Sequence, residues 1–304
     1  MDINCAIFIC KISNDKIVCY VNLIFYINFV FHTGKTTIII GGKTSNTVYV
    51  SSVEYFGPLN ITIPPLSTLQ VIKTAAYVNG TLYVCGTQNG DMDVCCKYDL
   101  AAASGSWDLL TTIPSTNNDH NKSNAAAFKN FFWYFTNKMI QVPVDGSSVT
   151  SYDLNLGINP CVASNGSNTI IITGLDSSLM INSNTSSPEI WRTDVKLTEN
   201  LHSCGCLWLG NTIYVTGGED ETASTKVTHL IKSDTFEVTL GDPLPVAITD
   251  HGMGVIDGRP AVIGGIINGV YSSAIYVHDS SSHTWLLSNQ SLPAARASFV
   301  SVTF

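Results

Sequence analysis

Short apolar runs rich in β-branched residues alternate along this chain with stretches of Ser, Thr, Asn and Gly, and six of the runs climb to a Gly pair or to its decayed equivalent. They are Ile38-Ile39-Ile40-Gly41-Gly42, Leu82-Tyr83-Val84-Cys85-Gly86-Thr87, Phe131-Phe132-Trp133-Tyr134-Phe135-Thr136, Ile170-Ile171-Ile172-Thr173-Gly174, Ile213-Tyr214-Val215-Thr216-Gly217-Gly218 and Ala261-Val262-Ile263-Gly264-Gly265. Counted between their last residues, the steps are 45, 49, 38, 44 and 47. A β-rich period of roughly 40 to 50 residues marks a propeller. The unit from Asp250 to Pro293 shows how one period is built. A small-residue stretch (His251 to Ile256) leads through Asp257-Gly258 into Pro260–Ile263, followed by Ala274–His278, a turn at Asp279–Ser282, and Thr284–Leu287. That order predicts four strands, A to D from the axis outward, joined by three turns.

The glycines closing strand B fall where blades converge and backbones approach closely, so a Cβ would clash or forbid the required φ. The Tyr of strand C and the Trp of strand D are large rings suited to filling the space between blades. The combination of apolar run, Gly-Gly, strand-C Tyr and strand-D Trp resembles the kelch repeat over residues 36–304. The likeness is strong for the units ending strand B at Gly42, Gly218 and Gly265. It is partial where Gly86-Thr87 replaces the pair, with Tyr98 and Trp107 present, and weak around Thr136 and Gly174. The first unit has strands B, C (Ser52 to Phe56) and D (Ile61 to Ile63) but no strand A before Thr36. At the other end, Ala295 to Thr303 looks like a strand A with no B after it. One missing strand matches one surplus strand. The expectation is an all-β, six-bladed kelch-type propeller whose first blade is completed by the C-terminal strand, a closure that removes open edges and that the resemblance also implies.

Residues 1–35 stand outside the repeat. Ile17 to Phe31 is mostly apolar, broken by Asn22 and Asn28, about the length of a signal-peptide core and short for a membrane span. The segment is read as a leader: a secretory signal, an uncleaved anchor that would give the only membrane contact, or a gene-model artefact. Export places the propeller outside the cell, and a cytoplasmic location is the alternative. With 12% charged residues, 45% apolar residues and a net charge of −8, the composition is that of a globular β protein. No basic run offers phosphate neutralisation, which argues against nucleic acid as a partner.

Strand alternation sends the B–C and D–A loops to one face and the A–B and C–D turns to the other. The first face carries the longer segments, where recognition usually resides. Asp91, Asp93, Asp176, Glu219, Asp220 and Glu221 make it acidic, as a ligand patch or a solvated rim. His202 and His251 occupy similar points near the start of strand A in successive blades and are candidates for the channel mouth. The seven His and nine Cys show no H-x-x-H, H-E-x-x-H or C-x-x-C grouping, so no catalytic residue, metal or cofactor is expected. Kelch-type propellers include copper-radical oxidases of the galactose-oxidase kind, which need two Tyr, two His and a Cys crosslinked to one Tyr and lean on further domains. The resemblance therefore keeps an oxidase as the alternative function. Cys85 on strand B and Cys95 or Cys96 on strand C are neighbours within one blade, close enough for a disulfide. This spacing is similar to that in secreted animal kelch-type proteins. Cys161 and Cys204, at comparable places in strand A of consecutive blades, are candidates for an inter-blade bridge. The reading is a non-catalytic binding module presenting its B–C and D–A loops to a protein or glycan.

Overall fold

A computed structural model describes residues 9–13, 16–20, 35–57, 62–66, 68–88, 92–101, 105–114, 125–128, 130–135, 138–153, 161–165, 168–172, 178–182, 189–193, 195–220 and 222–304. The chain divides into two compact units, Met1–Thr33 and Gly34–Phe304. In the first, β1 (Ile9–Ser13) and β2 (Lys16–Tyr20) form an antiparallel hairpin with Cys10 opposite Cys19. Most of the expected signal core, residues 21–31, lies outside the described residues. No helix among those described is long and apolar enough to cross a membrane.

The second unit is all-β. It begins with β3 (Thr37–Ile40) and β4 (Val53–Phe56), followed by β5 (Val71–Val78), β6 (Thr81–Thr87), β7 (Met92–Asp99) and β8 (Asp108–Pro114). Next come β9 (Ala125–Phe128), β10 (Phe131–Phe135), β11 (Met139–Pro143) and β12 (Thr150–Tyr152), then β13 (Cys161–Ser164), β14 (Asn168–Ile172), β15 (Ser178–Asn182) and β16 (Glu189–Thr193). A further set is β17 (Gly205–Leu209), β18 (Thr212–Thr216), β19 (Thr228–Lys232) and β20 (Val238–Leu240). The last period holds β21 (Gly252–Ile256), β22 (Arg259–Ile263), a two-stranded ribbon of β23 (Ile266–Ile267) and β24 (Val270–Tyr271), β25 (Ile275–Asp279) and β26 (Thr284–Leu287), and the chain closes with β27 (Val300–Thr303).

Each period folds into its own antiparallel sheet in A-B-C-D order, and the inner strands touch in the cycle β27, β5, β9, β13, β17, β21 and back to β27. This closed ring of sheets is a β-propeller. The expectation of six four-stranded blades is corrected in one respect: five sheets are complete four-stranded blades, while the sheet β27-β3-β4 has three strands among the described residues. Its expected outer strand is not seen among the described residues: Thr62 and Ile63 are not part of a strand, and Ile61 lies outside the described residues. The C-terminal strand does complete this sheet, with Val300 opposite Ile40 and Thr303 opposite Thr37.

The continuous apolar runs have a plain cause in this arrangement. A strand inside the ring is covered on both faces, so residues pointing either way must be apolar. Ile38 and Ile40 pack with Ile72, Leu82 and Val84 of the next sheet, whereas Ile39 between them packs with Ile256, Ile263 and Ile275 of the last one. The core is therefore a set of layers between neighbouring sheets. The glycine pairs sit at the seams. Gly41 and Gly42 have φ of 69° and 111°, Gly217 and Gly218 of 52° and 92°, and Gly264 and Gly265 of 58° and 96°. A Cβ on Gly217 would stand 2.5 Å from the Ile248 carbonyl of the next blade, and one on Gly218 would stand 2.7 Å from His202 O of its own. Positive φ and the absence of space on both sides leave only glycine.

Candidate binding faces of the ring

The entries to strand A on the B–C and D–A face share one device. Ser203, Asp250 and Ser298, one in each of three successive blades, adopt left-handed φ of 54°, 53° and 52°. Asp250 N–H donates to Ser203 O and Ser298 N–H donates to Asp250 O, both at 2.9 Å, so backbone bonds run from blade to blade around this end of the channel. The loops rise from that rigid collar.

Three of the sequence-selected residues come together on it. The His202 backbone pairs with Glu219, and His202 Nδ1 lies 3.8 Å from Glu219 Oε1. Asp220 follows, with its carboxylate accepting from Thr222 Oγ1 and N–H at 2.7 Å and from Ala223 N–H at 2.9 Å. These bonds, with a smaller contribution from His202, hold the Asp220 carboxyl below its usual range. Its oxygens serve its own turn. Asp91, Asp176 and Glu221 lie outside the described residues.

Two selected residues do not belong to the face. Asp93 is buried at 1% exposure, ion-paired to Lys73 at 2.9 Å and accepting from Thr87 Oγ1 at 2.9 Å. Its position at the start of strand C looked like a loop, but the sheet extends far enough to enclose it. His251 is fully buried, its Nε2 2.9 Å from Thr216 Oγ1 and its ring filling the space left by Gly205 and Gly217. It flanks the same glycine pair as His202, from the interior side, and does not reach the channel mouth.

A different patch on this face escaped the sequence reading. The B–C loop of the three-stranded sheet folds back on itself through a Lys43–Tyr49 bridge, and the ribbon β23-β24 rises from the adjacent blade. Tyr271 Oη donates to Asn46 Oδ1 at 3.1 Å, tying the two tips across 225 residues of sequence. Lys43 Nζ sits 5.1 Å from the Tyr49 ring centre. Burial and the nearby Asp250 and Tyr49 raise the Tyr271 phenol. Val48 and Val270, 50% and 67% exposed, stand beside the two tyrosines at the tips. An exposed apolar residue flanking a Tyr in two long loops was the available signal, but only the ring closure makes those loops neighbours.

A cavity of about 370 Å3 is lined by residues of the inner strands, including Ala76, Ala127, Ala163, Cys206, Met253 and Val302. Tyr77 and Phe304 stack at 3.8 Å among its walls.

Among the described residues, cysteines are paired in two places. Cys85 and Cys95, register partners on β6 and β7 with Cα atoms 4.0 Å apart, form a disulfide, and Cys96 is a buried thiol. The expected Cys161–Cys204 bridge is replaced by Cys161–Cys206, whose Cα atoms are 5.7 Å apart on adjacent inner strands. Cys204 and Cys206 lie on one face of the strand, and the sequence could not rank them; the stagger between neighbouring sheets brings Cys206 to Cys161. Two disulfides point to an oxidising environment.

No family model matches the chain, and no curated protein sequence matches it. Among solved structures it is similar to the structure of YjhT, with a TM-score of 0.55 and 11% identity over 78% of this chain and 88% of that one. At this identity the likeness is one of fold.

Proposed function

We propose that this chain is an exported kelch-type binding module, six-bladed when the three-stranded sheet is counted, that presents its B–C and D–A loop face to a protein or glycan. The observation that carries the reading is the joined pair of loop tips, where Tyr49, Tyr271, Val48 and Val270 form an amphipathic patch on a rigid support. Tyrosines of this kind give large contact area with few rotatable bonds, and Asn46, Lys43 and Asp250 beside them supply orienting polar groups. Both protein and sugar surfaces are recognised by that mixture, and the acidic His202–Glu219–Asp220 edge favours neutral or basic partners. The two disulfides support export.

The test displays the propeller as a labelled multimer to a glycan array and to a panel of cell-surface proteins. Val48→Asp and Val270→Asp should each lower binding about tenfold or more, as at the centre of an interface. Leu240→Asp, on an exposed outer strand away from the patch, should leave it unchanged. Equal loss in all three variants, or none in the loop variants, would sink this assignment of the face.

A further inference from the structure

The A–B hairpin joining β5 to β6 carries Asn79-Gly80-Thr81, the Asn-x-Thr pattern of an N-glycosylation acceptor. Val78 pairs with Thr81, so the turn between the strands is Asn79-Gly80 alone. Both residues take positive φ, 48° and 86°, as the type I′ turn of a two-residue hairpin requires, and Asn-Gly is a pair well suited to it. Gly80 O accepts from the N–H of Leu100, just past β7, at 3.0 Å, which holds the turn to its own sheet. Asn79 is exposed, and a Cβ on Gly80 would meet nothing within 4 Å, so the tip of the hairpin stands in open solvent. The same pattern recurs at Asn60, Asn121, Asn165, Asn184 and Asn289. Asn60, Asn121 and Asn184 lie outside the described residues, as do Gly166 and Ser167 beside Asn165. Asn289 is exposed in the loop after β26, on the face of the loop tips, whereas Asn79 lies on the opposite one.

We propose that Asn79 is an N-glycosylation site, carrying an oligosaccharide on Nδ2 that stands on the A–B face; this rests on the reading that the chain is exported. The donor is a lipid-diphosphate-linked oligosaccharide of the export pathway. The Asn79 amide nitrogen forms a bond to the anomeric carbon of the first sugar as the bond from that carbon to the diphosphate oxygen breaks. The electron pair of the broken bond leaves with the lipid diphosphate, and Nδ2 gives up one proton. Nothing is oxidised or reduced. A bulky, hydrated glycan persists in a folded domain only where the asparagine projects into water. The Asn79-Gly80 tip meets that requirement without any change in the turn, because the strand pairing and the Gly80 hydrogen bond use only backbone atoms. A glycan rooted there shields the A–B face and leaves the loop tips at Tyr49 and Tyr271 clear, so that recognition is directed to the B–C and D–A face.

The experiment expresses the full chain in cultured eukaryotic cells and recovers it from medium and lysate. Each sample is digested in heavy-oxygen water with and without peptide N-glycosidase, which cleaves the glycan from Asn and leaves an Asp carrying the heavy oxygen. Fragmentation mass spectrometry then locates the label. The expected result is label at position 79 of the secreted chain in the glycosidase digest alone; the digest without enzyme separates it from spontaneous deamidation of Asn79-Gly80. Asn79→Asp still takes the left-handed turn but has no amide nitrogen, and Thr81→Val keeps the side-chain shape but has no hydroxyl. Each should lose the mass of one glycan, whereas Thr81→Ser should keep it. A secreted chain with the Cys85–Cys95 bond formed and position 79 unlabelled overturns the proposal and leaves export standing. A chain confined to the lysate, with Cys85 and Cys95 open to alkylation, overturns the export reading and the site with it. Unchanged glycan mass in Asn79→Asp also refutes the assignment. Should a variant fail to leave the cell, the wild-type label still decides.

Discussion

His229 shows how a single residue ties this fold to solution conditions. Its side chain is fully buried on β19, and its Nε2 accepts from Thr198 N–H at 3.2 Å and lies 2.7 Å from Thr198 Oγ1. Accepting at Nε2 leaves the proton on Nδ1, so the neutral ring is the form that fits. Burial lowers the imidazole from its ordinary 6.5. Between the lowered folded value and 6.5 the unfolded chain binds more protons, so stability rises with pH in that window. The contribution is complete above 6.5 and is lost as pH falls through the folded value. Urea midpoints at about pH 7.5 and about pH 5 should differ more for the wild type than for His229→Gln, which keeps an acceptor for Thr198 but does not titrate. An equal difference in both proteins would show that other groups govern the acid response.

At the scale of the strand, the outer Trp residues act as clasps between sheets. Trp107 Nε1 donates to Pro64 O at 2.8 Å and Trp285 Nε1 donates to Asp242 O at 2.9 Å, each reaching back 43 residues into the preceding period. The rings pack at a tilt within their own sheets, Trp107 against Tyr98 at 5.3 Å and Trp285 against His278 at 5.1 Å. His278 thus takes in its sheet the place that Tyr98 holds beside Trp107, since it is His278 that pairs with Trp285. Trp285→Phe keeps most of the buried ring and removes only the donor. It should cost about 1 kcal/mol, and Trp285→Ala about 3–5 kcal/mol, in chemical denaturation. If the two cost the same, the hydrogen bond rather than packing is what the clasp contributes. The apolar runs, the glycine pairs and these Trp were legible in the sequence because their spacing repeats. The weak repeats around Thr136 and Gly174 fold into complete four-stranded sheets all the same.

For the whole molecule the decisive contacts are those that close the ring. β27 pairs with β3, Thr36 and Phe304 exchange backbone hydrogen bonds at 2.9 and 3.0 Å, and Arg296 just before β27 is 2% exposed. Its guanidinium donates to Gly41 O at 3.3 Å, Ser52 Oγ at 2.9 Å and Glu54 Oε1 at 3.0 Å, which joins the two ends of the propeller. Glu54 is partly exposed, so water screens some of this attraction. Arg296→Met should therefore lower stability by about 2–4 kcal/mol, toward the lower end for a broken buried pair. Removal of residues 300–304 should do more, leaving β3 as an open inner edge, so that the truncated chain associates or unfolds in size-exclusion chromatography and calorimetry. A monomeric truncated chain with an unchanged melting temperature would show that closure is dispensable.

The repeat period, the apolar runs, the nearness of Cys85 to Cys95 and Cys96 and the return of the C-terminal strand were legible in the sequence alone, since each depends on neighbours a few residues apart or on one strand matching one gap; that Cys95 rather than Cys96 bonds Cys85 was decided by the strand register. Which blades are complete, which cysteine meets Cys161, the enclosure of Asp93 and His251, and the joining of Val48-Tyr49 to Val270-Tyr271 were decided only by the tertiary structure. These depend on the stagger of one sheet against the next and on the closure angle of the ring. Both arise from packing between residues far apart in the chain, and no local pattern encodes them.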